Sequence, residues 1–451
     1  RQQIILRKDP SASRGVFLLG LMVSTEELHS VFLTSSGACT DTRQLLAGGM
    51  FFALKGPNFD ANAFAAKALE SGCAFAVVDD PTAVVDERYL LVPDVLRALQ
   101  ELGRYHRRRF HIPVVAITGT NGKTTTKELV HAVLSAYYPT LSTIGNLNNH
   151  IGVPLTLLRL TDQHRIAIIE MGANHIGDIA DLVNIAEPTH ALITNIGRAH
   201  LEGFGSYEGV VKAKTELYEF IRQRGGVVFV NADDPLLMEK SEGLQRVTYG
   251  TTGEPYLMGG LEPADGPCLD CHMVHMDDHW VVHSQLIGAY NLPNVLAAAC
   301  IGFYFDVPDE RIIEALDNYL PTNNRSQLVD TGRNRVIMDA YNANPSSMAA
   351  ALANFASLRT DRSKLAILGG MKELGAVSTE EHAALIALVI SSDLDAIYVG
   401  PEFIEHRASG IRAFADAQEA LKYITENPIT GRMILVKGSR GTKLETLSPA
   451  L

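Results

Sequence analysis

The stretch Val114-Val115-Ala116-Ile117-Thr118-Gly119-Thr120-Asn121-Gly122-Lys123-Thr124-Thr125-Thr126 constrains the chain more than any other. Its apolar, β-branched start reads as a buried strand, and Leu129, Val130, Val133 and Leu134 fall on one face of a following helix. Strand, glycine loop, Lys-Thr and helix in that order make a phosphate cradle. Backbone N–H groups converge on the anion, the helix start adds partial positive charge, and Lys123 adds a full one. The Thr124 hydroxyl is placed to ligate magnesium. The spacing departs from G-x-x-x-x-G-K-[ST], because Ile117 stands where the first glycine belongs. Taken alone, the loop fits either a phosphate site or a tight strand–helix turn.

Two later strands add to it. Ile166 to Glu170 is an apolar run ending in a carboxylate, and Ala191 to Ile196 leads into Gly197-Arg198-Ala199-His200. Ligands of open α/β sheets bind at the carboxyl ends of strands. Each polar residue alone could be a strand end-cap, but Lys123, Thr124, Glu170 and His200 on one rim read as a metal–nucleotide site. Lys212 and Lys214 sit on a helix from Tyr207 to Arg222, a setting where lysines are usually solvated.

Length bounds the architecture. At 451 residues the chain allows about three domains of roughly 150 residues each. A net charge of −12 argues against a general binder of nucleic acid or membrane surface. No apolar run approaches the ~20 residues of a membrane span, so no membrane insertion is expected. Five scattered cysteines suit a reducing cytoplasm. Cys268-Leu269-Asp270-Cys271-His272 matches a haem-attachment pattern, and His275 and His279 could be zinc ligands, but no second ligand pair organises them; a surface strand is the reading adopted.

Residues 1–21 fit poorly with the rest of the chain. Met22 is the expected natural start, with residues 1–21 an extension without a role, and Ser24 with Glu27 forms a capping box that starts a helix. Residues 22–109 read as a small α/β domain in which Arg43 and Lys55 are either diphosphate contacts or solvated charges. Residues 110–322 form the central domain. Within it, Ser142 to Pro154, rich in asparagine, is a loop, and 245–283 looks like irregular strands. Residues 323–451 repeat a βαβα pattern and make a second doubly wound domain. Its strand ends hold Asp339, Tyr341 to Pro345, Lys372-Glu373 and Lys437-Gly438-Ser439-Arg440; Lys437 and Arg440 fit an anion contact or a surface turn.

Thr118 to Thr125 also resembles the phosphate-loop variant of the Mur ligases and folylpolyglutamate synthases. Gly145 to Gly152, Glu170 to Ala173, Ala199 to Ser206, Asp339 to Pro345 and Lys437 to Arg440 extend the resemblance to the Mur ligases from Met22 to the C-terminus. It implies three domains: a small N-terminal α/β domain for the UDP-sugar end of the substrate, a central P-loop-type ATPase domain on a mostly parallel sheet, and a C-terminal Rossmann-like ligase domain that closes over the nucleotide. The motifs match best those members that join D-alanyl-D-alanine to UDP-N-acetylmuramoyl-tripeptide in peptidoglycan precursor synthesis, as cytoplasmic monomers.

By that resemblance Gly119, Thr120, Asn121, Gly122, Lys123, Thr124 and Thr125 hold ATP, with Asn291 and Asn294 on the adenine side and Arg325 and Asp339 reaching from the closing domain. Thr124 and Glu170 hold one Mg2+ ion and His200 a second. Lys214, carbamylated, serves as a metal-side carboxylate. Lys123, His200 and Lys214 are the catalytic residues. Thr42, Arg43 and Lys55 match the uridine-nucleotide region, and Asn146, Asn148 and Asn149 are candidate substrate contacts. Tyr290 departs from the family, which more usually has histidine there. The third-residue ligases usually carry an Asp-Asn-Pro-Arg motif, absent here, and folylpolyglutamate synthases lack the N-terminal domain. A non-catalytic nucleotide-binding regulator would not need Lys123, Glu170, His200 and Lys214 together.

Overall fold

A computed structural model describes residues 22–198, 201–263, 266–321 and 325–451. Residues 1–21 and His200 lie outside the described residues. Contacts divide the chain into two compact units. One comprises the described chain up to His111 with Asn146–Asp162 and Asn184–Glu187; the other comprises Ile112–Gly145, Gln163–Val183 and Pro188–Leu451. Both are α/β, and their larger sheets are mostly parallel.

In the first unit the helix Thr25–Phe32 starts at the capping box expected from sequence: Ser24 Oγ accepts from the Glu27 N–H, and the Glu27 carboxylate accepts from the Ser24 N–H. Four parallel strands come next in the order Ala38–Cys39, Met50–Phe52, Phe75–Val78 and Tyr89–Leu91. The helix Val95–Arg107 covers one face through Val95, Leu99 and Leu102. Asn146–Asp162 packs in this unit: Gln100 Nε2 donates to the His150 carbonyl at 3.1 Å, and His106 Nε2 donates to that of Leu160 at 3.0 Å. Since a carbonyl only accepts, His106 carries its proton on Nε2 and takes one from His29 Nε2 at its Nδ1, 3.0 Å away. The asparagine-rich loop ends earlier than its composition implied, at a short helix Gly152–Leu157 whose first N–H donates to Asn149 Oδ1.

The second unit holds a nine-stranded and a six-stranded sheet. The nine-stranded order is Asp278–Ile287, Cys268–His275, Leu257–Leu261, Gln245–Gly250, Val227–Asn231, His190–Ile193, Val114–Thr118, Ile166–Glu170 and Thr140–Ser142. Val114–Thr118 and Ile166–Glu170 are buried at every position, as strands covered on both faces must be. The stretch expected to form irregular strands is instead regular: Cys268–His275 and Asp278–Ile287 pair antiparallel with one register shift. Cys271 points into the core, where burial pushes its thiol up to about 12, so it behaves as an apolar core residue.

The six-stranded order is Gln327–Asp330, Arg335–Asp339, Arg432–Lys437, Ser363–Gly369, Asp395–Val399 and Ala413–Phe414, parallel apart from the first strand. Helix Pro345–Ser357 comes after Arg335–Asp339. Asn344 caps it and proline fills its first position, where the missing N–H is harmless. Among the described residues no helix is long and apolar enough to cross a membrane.

Candidate active site

Register brings the phosphate loop and its partners together. His190–Ile193, Val114–Thr118 and Ile166–Glu170 are adjacent and parallel, with Ile193 level with Thr118 and Ile117 level with Glu170. The carboxyl end of each strand therefore opens onto one rim. Gly119 has φ +144°, and a Cβ there would collide with Thr194 Oγ1. Gly122 is left-handed at the helix start, and a Cβ there would stand 2.7 Å from Asn294 Oδ1. The irregular glycine spacing thus serves two close approaches.

Lys123 opens the helix Lys123–Ser135 and curls back over the loop, donating to the Gly119 carbonyl at 2.7 Å and that of Thr120 at 2.9 Å. Burial lowers its ammonium to about 8; Glu170 opposes the shift and the Arg325 charge adds to it. Thr124 Oγ1 donates to Glu170 Oε1 at 3.1 Å, and both residues are buried. A hydroxyl and a carboxylate side by side at a phosphate loop are the hard oxygen donors that Mg2+ takes. The residues therefore fit the metal expected there. Thr125 lies in the first turn of the same helix, and Thr120 Oγ1 accepts from the Gly197 N–H at 2.9 Å.

Lys214 corrects the expectation of a solvated lysine. Lys212 is exposed, but Lys214 is only 2% exposed, on the buried face of the helix Tyr207–Arg224 with Ala213, Leu217 and Tyr218. Its ammonium lies 5.5 Å from the Phe204 ring centre. Burial first, and the charge of Lys123 second, hold it well below the usual lysine range.

Asn294 meets the loop from the other side. It accepts from Thr126 Oγ1 at 3.0 Å and donates to Asn291 Oδ1 at 2.9 Å, while Asn291 donates to the Ile287 carbonyl. Tyr290 makes a 3.1 Å hydrogen bond with Ser326 Oγ. The Arg325 guanidinium lies 3.7 Å from the centre of the Tyr341 ring. Asp339 ends its strand paired with buried Lys437 at 2.6 Å, which assigns Lys437 to a carboxylate within the fold, while Arg440 stays exposed.

Thr42, Arg43, Lys55, Asn146, Asn148 and Asn149 all fall in the first unit, whereas every described nucleotide and metal candidate falls in the second. Arg43 pairs with Asp41 at 2.7 Å, and Lys55 with Asp79 at 2.8 Å. Asn149 Oδ1 accepts from the N–H groups of Ile151 and Gly152.

Further residues support the site. Lys127 is wholly buried. It donates to the Thr143 carbonyl at 2.8 Å, pairs with Glu128 at 2.7 Å and stands 3.8 Å from Glu170 Oε2. Thr143 Oγ1 in turn accepts from the Glu170 N–H at 3.0 Å. Lys127 shares a helix face with Val130 and Leu134, a periodicity that marks it as a buried cation. Thr194 and Asn195 grip the Asn121 peptide: Thr194 Oγ1 donates to its carbonyl at 2.6 Å, and its N–H donates to Asn195 Oδ1 at 3.0 Å. Nothing local in sequence marks these two.

Comparison with known proteins identifies two family matches in the chain. Residues 117–302 match the family described as Mur ligase middle domain, and residues 324–440 match Mur ligase, glutamate ligase domain. The UDP-N-acetylmuramoyl-tripeptide–D-alanyl-D-alanine ligase of Bacillus subtilis is 34% identical over 91% of this chain and 92% of its own length. Its Escherichia coli counterpart is 35% identical over 94% and 95%. Among solved structures, MurF from Acinetobacter baumannii superposes with a TM-score of 0.83 at 32% identity, covering 94% of this chain and 98% of that one. MurF ligase from Thermotoga maritima in complex with ADP gives 0.80 at 26%, covering 93% and 97%.

Proposed function

The chain belongs to the Mur ligases, and from that premise we propose that it joins D-alanyl-D-alanine to UDP-N-acetylmuramoyl-tripeptide in an ATP-dependent step of peptidoglycan precursor synthesis. The observation that carries the reading is the paired Thr124 hydroxyl and Glu170 carboxylate beside Lys123, in a chain alike over nine-tenths of its length to ligases of that name.

The terminal carboxylate of the tripeptide attacks the γ-phosphate of ATP and ADP leaves. The dipeptide amine then attacks the acyl phosphate, and the tetrahedral intermediate expels phosphate. Bringing one anion onto another needs fixed positive charge, which Lys123 supplies at the loop. Thr124 and Glu170 would hold Mg2+, with His200 and a carbamylated Lys214 completing a second metal position. Bound there, the metal neutralises phosphate charge. Gly119 to Thr125 cradle the phosphates, Asn291 and Asn294 shape the adenine side, and Arg325 and Asp339 reach the nucleotide from the C-terminal sheet. The low proton affinity of Lys214 supports carbamylation, since only a neutral amine adds carbon dioxide. Thr42, Arg43, Lys55, Asn146, Asn148 and Asn149 form the UDP-tripeptide side. The protein works as a cytoplasmic monomer in this reading.

The test is ADP release by the purified protein. Release is expected only when UDP-N-acetylmuramoyl-tripeptide and D-alanyl-D-alanine are both present. Replacement of the dipeptide by meso-diaminopimelate would overturn the substrate assignment.

A further inference from the structure

Asn121 sits in the middle of the phosphate loop, yet its side chain reaches the start of the helix Pro345–Ser357. Asn344 Nδ2 donates to Asn121 Oδ1 at 2.8 Å, Asn121 Nδ2 donates to Ser346 Oγ at 3.0 Å, and Ser346 Oγ donates to Asn344 Oδ1 at 2.9 Å. The three bonds close a ring in which each residue donates to the next, so each polarises its neighbour.

Both sides of the ring are anchored. The Asn121 peptide is gripped by Thr194 and Asn195, which fixes the backbone from which the side chain projects. Asn344 is buried and caps its helix by accepting from the Ser347 N–H, while its own N–H donates to Ser347 Oγ. Five residues upstream of Asn344 is Asp339, the strand-end carboxylate held by Lys437. A short loop thus joins the ring to a residue assigned to the nucleotide.

We propose that Asn121, Asn344 and Ser346 are positioning residues that couple the conformation of the phosphate loop to docking of the helix Pro345–Ser357. Asn121 contributes its backbone to the phosphate cradle and its side chain to the C-terminal segment, so a phosphate that orders the loop also orders the start of that helix. The inference rests on the proposed nucleotide site.

Hydrogen–deuterium exchange of the full chain, with and without ADP, tests it, alongside steady-state kinetics. In the unsubstituted protein ADP slows exchange across residues 345–349, whose exchanging amides are those of 346–349 because Pro345 has none. Ser346→Ala removes one ring hydroxyl but leaves the Asn344 cap and the unfolding midpoint in place. In it ADP binds within about threefold, protection at 345–349 is lost, and kcat falls about tenfold with KM for ATP little changed, a change of the size one hydrogen bond makes. Ser346→Thr, which keeps the hydroxyl, restores both readouts. Full ADP protection in Ser346→Ala, or ADP binding to the unsubstituted protein without protection at 345–349, overturns the proposal and leaves the nucleotide site standing. No ADP binding to the unsubstituted protein overturns the nucleotide reading and the proposal with it.

Discussion

Glu170 faces two demands at once. It is 1% exposed, and a carboxylate out of water must be paired or hydrogen-bonded. Thr124 meets it on one oxygen, the Lys127 ammonium stands by the other, and Thr143 takes its backbone N–H. The two roles separate by substitution. Glu170→Gln keeps the shape and loses the charge; ADP release should fall on the order of 10²-fold or more while the protein remains folded. Lys127→Met does the opposite, leaving Glu128 and Glu170 without their shared cation. Breaking a buried pair from one side costs about 3–5 kcal/mol, so urea unfolding should show a loss of that order. A loss under about 1 kcal/mol would mean the pair behaves as a surface one. The strand–glycine–Lys-Thr–helix frame around Lys123 was legible, because its apolar run, its glycines and its helix start follow local rules. Lys127 carried a weaker signal: its spacing to Val130 and Leu134 puts it on the buried face, against the usual solvation of lysines.

At the scale of elements, the strand His190–Ile193 carries its own pH sensor. His190 stacks on Phe229 and contacts Tyr304 and Phe305, and burial lowers its pKa to about 4. The unfolded chain takes up this proton near pH 6.5 and the folded chain only near pH 4. Folding stability is therefore full above 6.5 and declines as pH falls from 6.5 to 4, by up to about 3 kcal/mol. Denaturant titrations across that range should show the slope, and His190→Phe should remove it; an equal slope in the variant would place the sensor elsewhere. In the first unit, burial lowers both His29 and His106, so their contribution is lost in the same direction, as acid protonates the pair. Apolar periodicity located the strands Val114–Thr118, Ile166–Glu170 and His190–Ile193, since runs such as Ile166 to Ile169 are apolar throughout. It failed for Cys268–His275 and Asp278–Ile287, where histidines and aspartates occupy the outer face and blur an alternation that the hairpin register makes plain.

For the whole molecule, the sequence signals were local and the assembly was not. Asn121, Asn344 and Ser346 meet across more than two hundred residues of chain, a proximity that no spacing encodes. The segment Asn146–Asp162 leaves the strand order of the second unit to pack in the first, which a linear reading of composition could not reveal. Lys214 also gains its meaning from assembly, because only the folded helix buries it beside the charge of Lys123. Lys214→Ala should abolish ADP release, and short carboxylic acids should restore part of it by standing in for the carbamate; full activity without rescue would count against carbamylation.

Activation of the tripeptide carboxylate as an acyl phosphate would move one of its oxygens to the released phosphate. Heavy-oxygen label in that carboxylate, traced by mass spectrometry of the released phosphate, tests it most directly. One labelled oxygen should pass to phosphate per dipeptide joined; unlabelled phosphate accompanying full product formation would rule out the acyl phosphate.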